Sequence, residues 1–209
     1  ANPVAIVDAT ANFEKAARDI VRGASFDNNL MCTSEKCMVV EEKAADRFIF
    51  ELLKNGVYYV KNEEEIQKLL DAAVTGDFVI NKKLEGRSAN EILEYAGIPC
   101  NGTIKLIVAE TERIHPFVTL ELLMPLVQAA DFEEALEIAL DVEQGYKHTA
   151  TIHSESIEHL NQAAKEMQTS VFVKNGPSFM GIGFDKEGHT SFTIATTTGE
   201  GTTTARHFA

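Results

Sequence analysis

The chain has 209 residues, a net charge of −13 and a 44% apolar composition. That is enough for one large globular domain, and so acidic a chain excludes a basic nucleic-acid footprint and disfavours an anionic membrane surface. No apolar run approaches the roughly 20 residues needed to span a bilayer, so neither nucleic acid nor membrane is expected as a partner. The cysteines, Cys32, Cys37 and Cys100, are few and odd in number. A disulfide framework is disfavoured, and a reducing, cytosolic-type compartment fits best.

In chain order, residues 5–7 read as a short strand. Residues 12–24 read as a helix with Phe13, Ala16, Ala17, Ile20 and Ala24 on one face. A polar loop follows, then a strand over 37–40. A helix over 44–54 buries Phe48 and Leu52 and stops at Asn55-Gly56. Residues 57–60 form a candidate strand, and Asn62 with Glu65 spells a capping box for the next helix. Ser88 with Glu91 spells another, ended by Gly97 and Pro99. Strands are predicted over 103–109 and 126–129. Asp131 with Glu134 caps a helix carrying Phe132, Ala135, Leu136, Ala139 and Leu140. A strand over 149–152 precedes a helix over 156–167, with Ile157, Leu160, Ala164 and Met167 inward. A last strand covers 170–173. Beyond Asn175, glycines and threonines predict irregular loops. Strands separated by helices of this length predict a three-layer α/β/α fold with a mostly parallel sheet. No linker or internal repeat breaks the pattern, so residues 1–209 are expected to form a single domain.

Cys32 is the chemically pointed residue. It lies in Asp27-Asn28-Asn29-Leu30-Met31-Cys32-Thr33-Ser34-Glu35-Lys36, between a helical pattern and a β-branched run. Buried structural cysteines usually sit inside apolar runs. Here amides, hydroxyls and a lysine lie within a few residues, a setting that would favour the reactive thiolate. The competing reading is an inert loop cysteine. Cys37, at a strand start, and Cys100, after Gly-Ile-Pro, read as structural. The Cys32–Cys37 spacing is too loose for half a zinc site, and no second pair follows, so no metal is expected. Among the histidines, His159 is expected to face solvent. His148 and His153 bracket a strand and could face a cleft; none is assigned as a general base.

The loop resembles the nucleophile segment of the aldehyde dehydrogenase superfamily, in particular the coenzyme A-acylating enzymes of ethanolamine and propanediol utilisation. Further motifs follow in order: Asn2-Pro3 leading to Val7-Asp8; His115-Pro116-Phe117 with Glu121-Leu122-Leu123-Met124-Pro125; His148-Thr149-Ala150-Thr151-Ile152-His153-Ser154; Phe172-Val173-Lys174-Asn175-Gly176-Pro177; and Thr198-Gly199-Glu200-Gly201 before Ala205-Arg206-His207-Phe208. The resemblance implies a catalytic domain in which Cys32 attacks an aldehyde and its backbone N–H supplies one oxyanion donor. It implies that Glu121 holds the ribose of NAD, and that Asn29, Met31, Thr33, Ser178 and Phe179 line the substrate pocket. Coenzyme A would be the acyl acceptor. The same chemistry in a bifunctional aldehyde–alcohol dehydrogenase, or a hydrolytic release of free acid, are the alternatives. The resemblance also implies that the dinucleotide-binding domain and a C-terminal tail are missing from this chain, which by itself is expected to be inactive. The whole protein is expected to be a cytoplasmic homo-oligomer, within a bacterial microcompartment shell in some relatives. A non-catalytic α/β binding module remains the reading from a different class.

Overall fold

The computed structural model describes residues 1–75, 79–112, 122–185 and 190–191. Seven strands make its central sheet: β1 (Val4–Val7), β2 (Cys37–Glu41), β3 (Val57–Val60), β6 (Leu106–Glu110), β7 (Leu123–Ala129), β8 (Thr149–His153) and β9 (Val171–Lys174). They lie in the order β3-β6-β7-β2-β1-β8-β9. Every pairing in this sheet is parallel. Two further strands, β4 (Val74–Thr75) and β5 (Val79–Ile80), form a separate antiparallel pair that sequence reasoning did not anticipate. Two-residue strands carry too little alternation to be read in advance.

Parallel neighbours require crossovers, and helices supply them: α1 (Phe13–Ser25), α2 (Glu42–Lys54), α3 (Glu63–Ala73), α4 (Ala89–Tyr95), α5 (Phe132–Glu143) and α6 (Ile157–Met167). Strand alternation sorts the core into two layers. Ala5, Val7, Met38 and Val40 pack with α1 to α4, whereas Val4, Ile6, Cys37 and Val39 pack with α5 and α6. The sheet is therefore covered on both faces, which explains its near-continuous apolar strands. The three-layer α/β/α expectation stands.

Local differences have local causes. Ser88 and Glu91 make the full reciprocal capping box. At Asn62 the side chain caps through the Glu64 N–H, while Glu65 instead accepts from the Tyr58 hydroxyl at 3.3 Å, so no box closes there. β6 begins at Leu106 rather than residue 103. β7 begins at Leu123, three residues earlier than its pattern suggested, because Pro125 fits inside it: β7 already pairs with β6 there, and pairing with β2 starts only at Leu126. On α6 the inward residues are Ala163 and Met167, with Leu160 partly buried against the same core; Ile157 is 73% exposed, and Ala164 is only half-buried.

The connection that matters for function joins α1 to β2. α1 runs against the strands, so its C-terminus delivers residues 26–36 to the amino-terminal edge of the sheet, where the Lys36 N–H bonds Pro3 O at 2.7 Å. After β9 the chain turns at Asn175 and forms a 3-10 turn, Ser178–Ile182, in the region read as irregular. That turn lies back over β9, with Gly181 against Val171 and Val173.

Candidate active site

Three consecutive residues ahead of the nucleophile, Asp27, Asn28 and Asn29, have φ of 50°, 50° and 65°. Aspartate and asparagine tolerate this left-handed region better than other side-chain-bearing residues, at roughly 1–2 kcal/mol each. Their conformation is held by contacts. Asn28 Nδ2 donates to Gly86 O at 2.9 Å. Asn29 Nδ2 donates to Ala24 O at 2.6 Å and to Glu35 O at 3.0 Å, closing the loop on itself. Lys36 Nζ donates to Asn29 O at 2.6 Å and also to Asn29 Oδ1. A turn then carries the thiol: the Ser34 N–H bonds Met31 O at 3.0 Å, leaving Cys32 at its corner, exposed. Among the described residues neither the Cys32 N–H nor its sulfur has a hydrogen-bond partner.

This corrects the sequence argument for Cys32. The amides and the lysine near it build the loop rather than surround the sulfur. Thr33 and Ser34 are buried, and the Thr33 hydroxyl finds no partner among the described residues. Met31 is half-buried beside the thiol. Asn29 is 2% exposed and faces into the loop, not toward an open pocket. Ser178 and Phe179 are buried as well, in contact with Glu35 and Phe26 of the loop. Glu121 lies outside the described residues, as do His115 and the segment from Thr198 to Phe208.

Cys37 shows the contrast. It is fully buried in the sheet core, and burial pushes its thiol up to about 12. Cys100 is half-buried, 3.4 Å from Asn90 Nδ2.

Sequence reasoning missed Glu35. Its side chain is fully buried, yet no cation pairs with it among the described residues. Ser178 N donates to Oε1 at 2.9 Å and Ser178 Oγ to Oε2 at 2.8 Å. Burial pushes the carboxyl up to about 7, against those hydrogen bonds. Room for it comes from Gly23 on α1, where a Cβ would stand 2.6 Å from Oε1. At the other end of the loop, Phe26 packs on Phe179 and Phe184, with ring centroids 5.4 and 5.0 Å away. The segment around Ser178 is docked on α1 as well: Lys15 Nζ donates to Asn175 O, and Arg22 lies over the Phe179 ring and 2.7 Å from Asp185.

Among the described residues, no histidine hydrogen-bonds Cys32. His153 is buried, and desolvation lowers it to about 4. His148 bonds Thr149 Oγ1 at 2.8 Å and is lowered by burial. His159, expected in solvent, stacks on Phe132 at 3.9 Å with its Nδ1 2.6 Å from Asp8 Oδ2. Asp8, Glu41 and His159 bring one ligand atom each within 4.8 Å of one another at the carboxyl edge of the sheet. Protein groups already engage most of it: Asp8 also accepts from Thr10 and Ser154, Glu41 Oε1 accepts from the Ala9 N–H at 2.9 Å, and Lys43 Nζ lies 2.6 Å from Glu41 Oε2, which has no hydrogen-bond partner among the described residues.

A polar loop holding an exposed thiol at the edge of a parallel α/β domain is a frame for covalent thiol chemistry. Residues 1–184 match the model of the aldehyde dehydrogenase family, and the chain belongs to that family. It is 48% identical over 212 residues to the propanal dehydrogenase (CoA-propanoylating) of Citrobacter freundii, covering 100% of this chain and 46% of that protein. The crystal structure of Rhodopseudomonas palustris propionaldehyde dehydrogenase with bound CoA and an acylated cysteine superimposes with a TM-score of 0.94 at 43% identity, covering 99% of this chain and 48% of that one. A propionaldehyde dehydrogenase from the Clostridium phytofermentans fucose utilisation bacterial microcompartment gives 0.92 at 38% identity, covering 99% and 48%. The chain thus spans about half the length of the relatives it matches.

Proposed function

We propose that this chain is the nucleophile-bearing domain of a coenzyme A-acylating aldehyde dehydrogenase acting on a short-chain aldehyde, propanal or acetaldehyde. The observation that carries the reading is Cys32: an exposed thiol whose backbone N–H is unengaged among the described residues, on a loop fastened at both ends. The thiolate attacks the aldehyde carbonyl, forming a carbon–sulfur bond. The Cys32 N–H is placed to donate to the oxygen that becomes negative, and one such donor is worth about 100- to 1000-fold in rate. NAD, when bound, accepts the hydride that converts the adduct into an enzyme thioester. The thiol of coenzyme A then takes the acyl group, a proton is released, and Cys32 is regenerated. A thioester suits this sequence because it keeps the oxidised carbon activated until the second thiol arrives.

The first strand–helix connection, Asp8 to Asn12, contains no glycine, so this sheet does not carry the dinucleotide-binding turn at that place. Glu121 is the one residue of this chain to which we assign a cofactor contact, at the nicotinamide ribose. The remaining contacts belong to a dinucleotide-binding domain outside these 209 residues. Among the described residues no helix is long and apolar enough to cross a membrane. We place the complete protein as a homo-oligomer working with small aldehydes and coenzyme A, in a microcompartment as for the Clostridium relative.

The test is Cys32→Ala in the complete protein, assayed as propanal- and coenzyme A-dependent NADH formation. Loss of at least a thousandfold in kcat is expected. Retained turnover refutes the assignment. Free acid formed equally fast without coenzyme A would move the protein to the hydrolytic branch.

A further inference from the structure

We propose that Glu35 is a positioning residue for the Cys32 nucleophile: its buried carboxyl locks the end of the nucleophile loop to the Ser178 turn and to α1. The inference deepens the reading of Cys32 as nucleophile and rests on it.

Three elements converge on this carboxyl. The loop contributes Glu35 itself, whose carbonyl oxygen also accepts from Asn29 Nδ2, so the same residue is held through backbone and side chain. The turn contributes two donors, the N–H and Oγ of Ser178, one to each carboxyl oxygen. α1 contributes the absence of a side chain at Gly23, where any Cβ would overlap the carboxyl. The Phe26–Phe179–Phe184 cluster ties the start of the loop to the same turn. Cys32 therefore sits on a loop whose two ends are both anchored on residues 178–184. A loop fixed only by its own left-handed residues would have no such external reference.

The charged groups facing this region from α1 are few. Asp19, whose like charge disfavours ionisation of Glu35, is itself held by Lys15 and Arg18. His153 on β8 feels Asp19 and Lys15. From the loop, Lys36 bonds Asn29, and the turn contributes only Ser178. Among the described residues no cation in contact neutralises Glu35, consistent with a carboxyl that carries its proton up to about pH 7. Protonated, it resembles a glutamine: one oxygen accepts from the Ser178 N–H, and the other group donates to Ser178 Oγ. Ionised, it accepts from both. Because the carboxyl is fully buried, it acts through the loop and not on substrate.

The experiment uses the complete protein with Glu35→Gln, Glu35→Ala and Cys32→Ala. It measures kcat and KM for propanal between pH 6 and pH 8, together with iodoacetamide labelling of Cys32 by peptide mapping. We expect Glu35→Ala to lower kcat at least tenfold with KM within threefold, while Cys32 still labels. We expect Glu35→Gln to stay within threefold of the unsubstituted kcat at pH 6 and to depart from it at pH 8. The proposal is overturned if Glu35→Ala turns over within threefold. Where Glu35→Ala does not fold, it is overturned if the Glu35→Gln ratio is the same at pH 6 and pH 8. Turnover that survives Cys32→Ala would instead remove the nucleophile itself, so the two failures are separable.

Discussion

Gly23→Ala measures how tightly the nucleophile loop is packed on α1. In an exposed helix interior this change stabilises by about 1 kcal/mol, because alanine is the better helix former. Here the new Cβ would lie 2.6 Å from Glu35 Oε1 and 2.8 Å from its Cδ, far inside contact distance. The carboxyl has no free direction in which to swing, since Ser178 holds both oxygens and the residue is fully buried. Overpacking of this kind costs about 1–3 kcal/mol. Displacing a buried carboxyl from its donors adds about 1–3 kcal/mol. Against the helix gain, the net loss is about 1–5 kcal/mol. Urea unfolding should show a lower midpoint at unchanged slope. The decisive comparison repeats the substitution in a Glu35→Ala background, where the clash is gone and Gly23→Ala should be neutral or stabilising by up to about 1 kcal/mol. Equal costs in both backgrounds, or no cost in either, would refute the packing argument.

Stability against pH offers a test with opposing signs. His153 is held near 4, below its ordinary 6.5, so the unfolded chain binds the extra proton and stability falls as pH drops from about 6.5 to 4. Glu35 is held near 7, above its ordinary 4.5, so the folded chain keeps the extra proton and stability falls as pH rises from 4.5 to about 7. Relative to the unsubstituted chain, Glu35→Gln should therefore steepen the rise of stability with pH over that window, and His153→Leu should flatten it; urea midpoints at pH 5, 6 and 7 check both. Asp8 is a different case. Burial alone would raise it, but hydrogen bonds from Ser154, Thr10 and His159 lower it below 3.8. Its contribution is present above the ordinary carboxylate range and is lost as pH falls below it, so Asp8→Asn should cost about 1–3 kcal/mol at pH 7 and markedly less at pH 3. Asn29→Ala should cost about 2–4 kcal/mol by urea unfolding, from a left-handed φ and two abandoned carbonyls, and Asn29→Gly about 1 kcal/mol less.

The sheet was readable because its signals are local. Val4–Val7 and Cys37–Glu41 are largely apolar, β-branched runs, and the helices after Val4–Val7 and Thr149–His153 open on side-chain N-caps, Asn12 and Ser156. The errors fall where tertiary context decides. Pro125 looks like a strand boundary until its neighbours are known. Ile157 begins α6 and looks inward on a helical wheel, yet it is 73% exposed. His159 looks solvated because the partner that buries it, Asp8, is 151 residues away.

The loop shows the same limit more sharply. Its polarity marked Cys32 correctly as unusual, but for a reason the structure replaces. Asn28, Asn29 and Lys36 are polar because three left-handed residues and a closed loop need hydrogen bonds, and those bonds are made to Gly86, Ala24 and Glu35 rather than to the thiol. Glu35 was invisible because a glutamate beside a lysine reads as solvated surface. Its donors are 143 residues further along, and the only local trace is Gly23, a glycine inside an otherwise regular helical pattern. A glycine there weakens α1 and has no turn to serve. It makes sense only as space for another group, and the group is the carboxyl that holds the nucleophile in place.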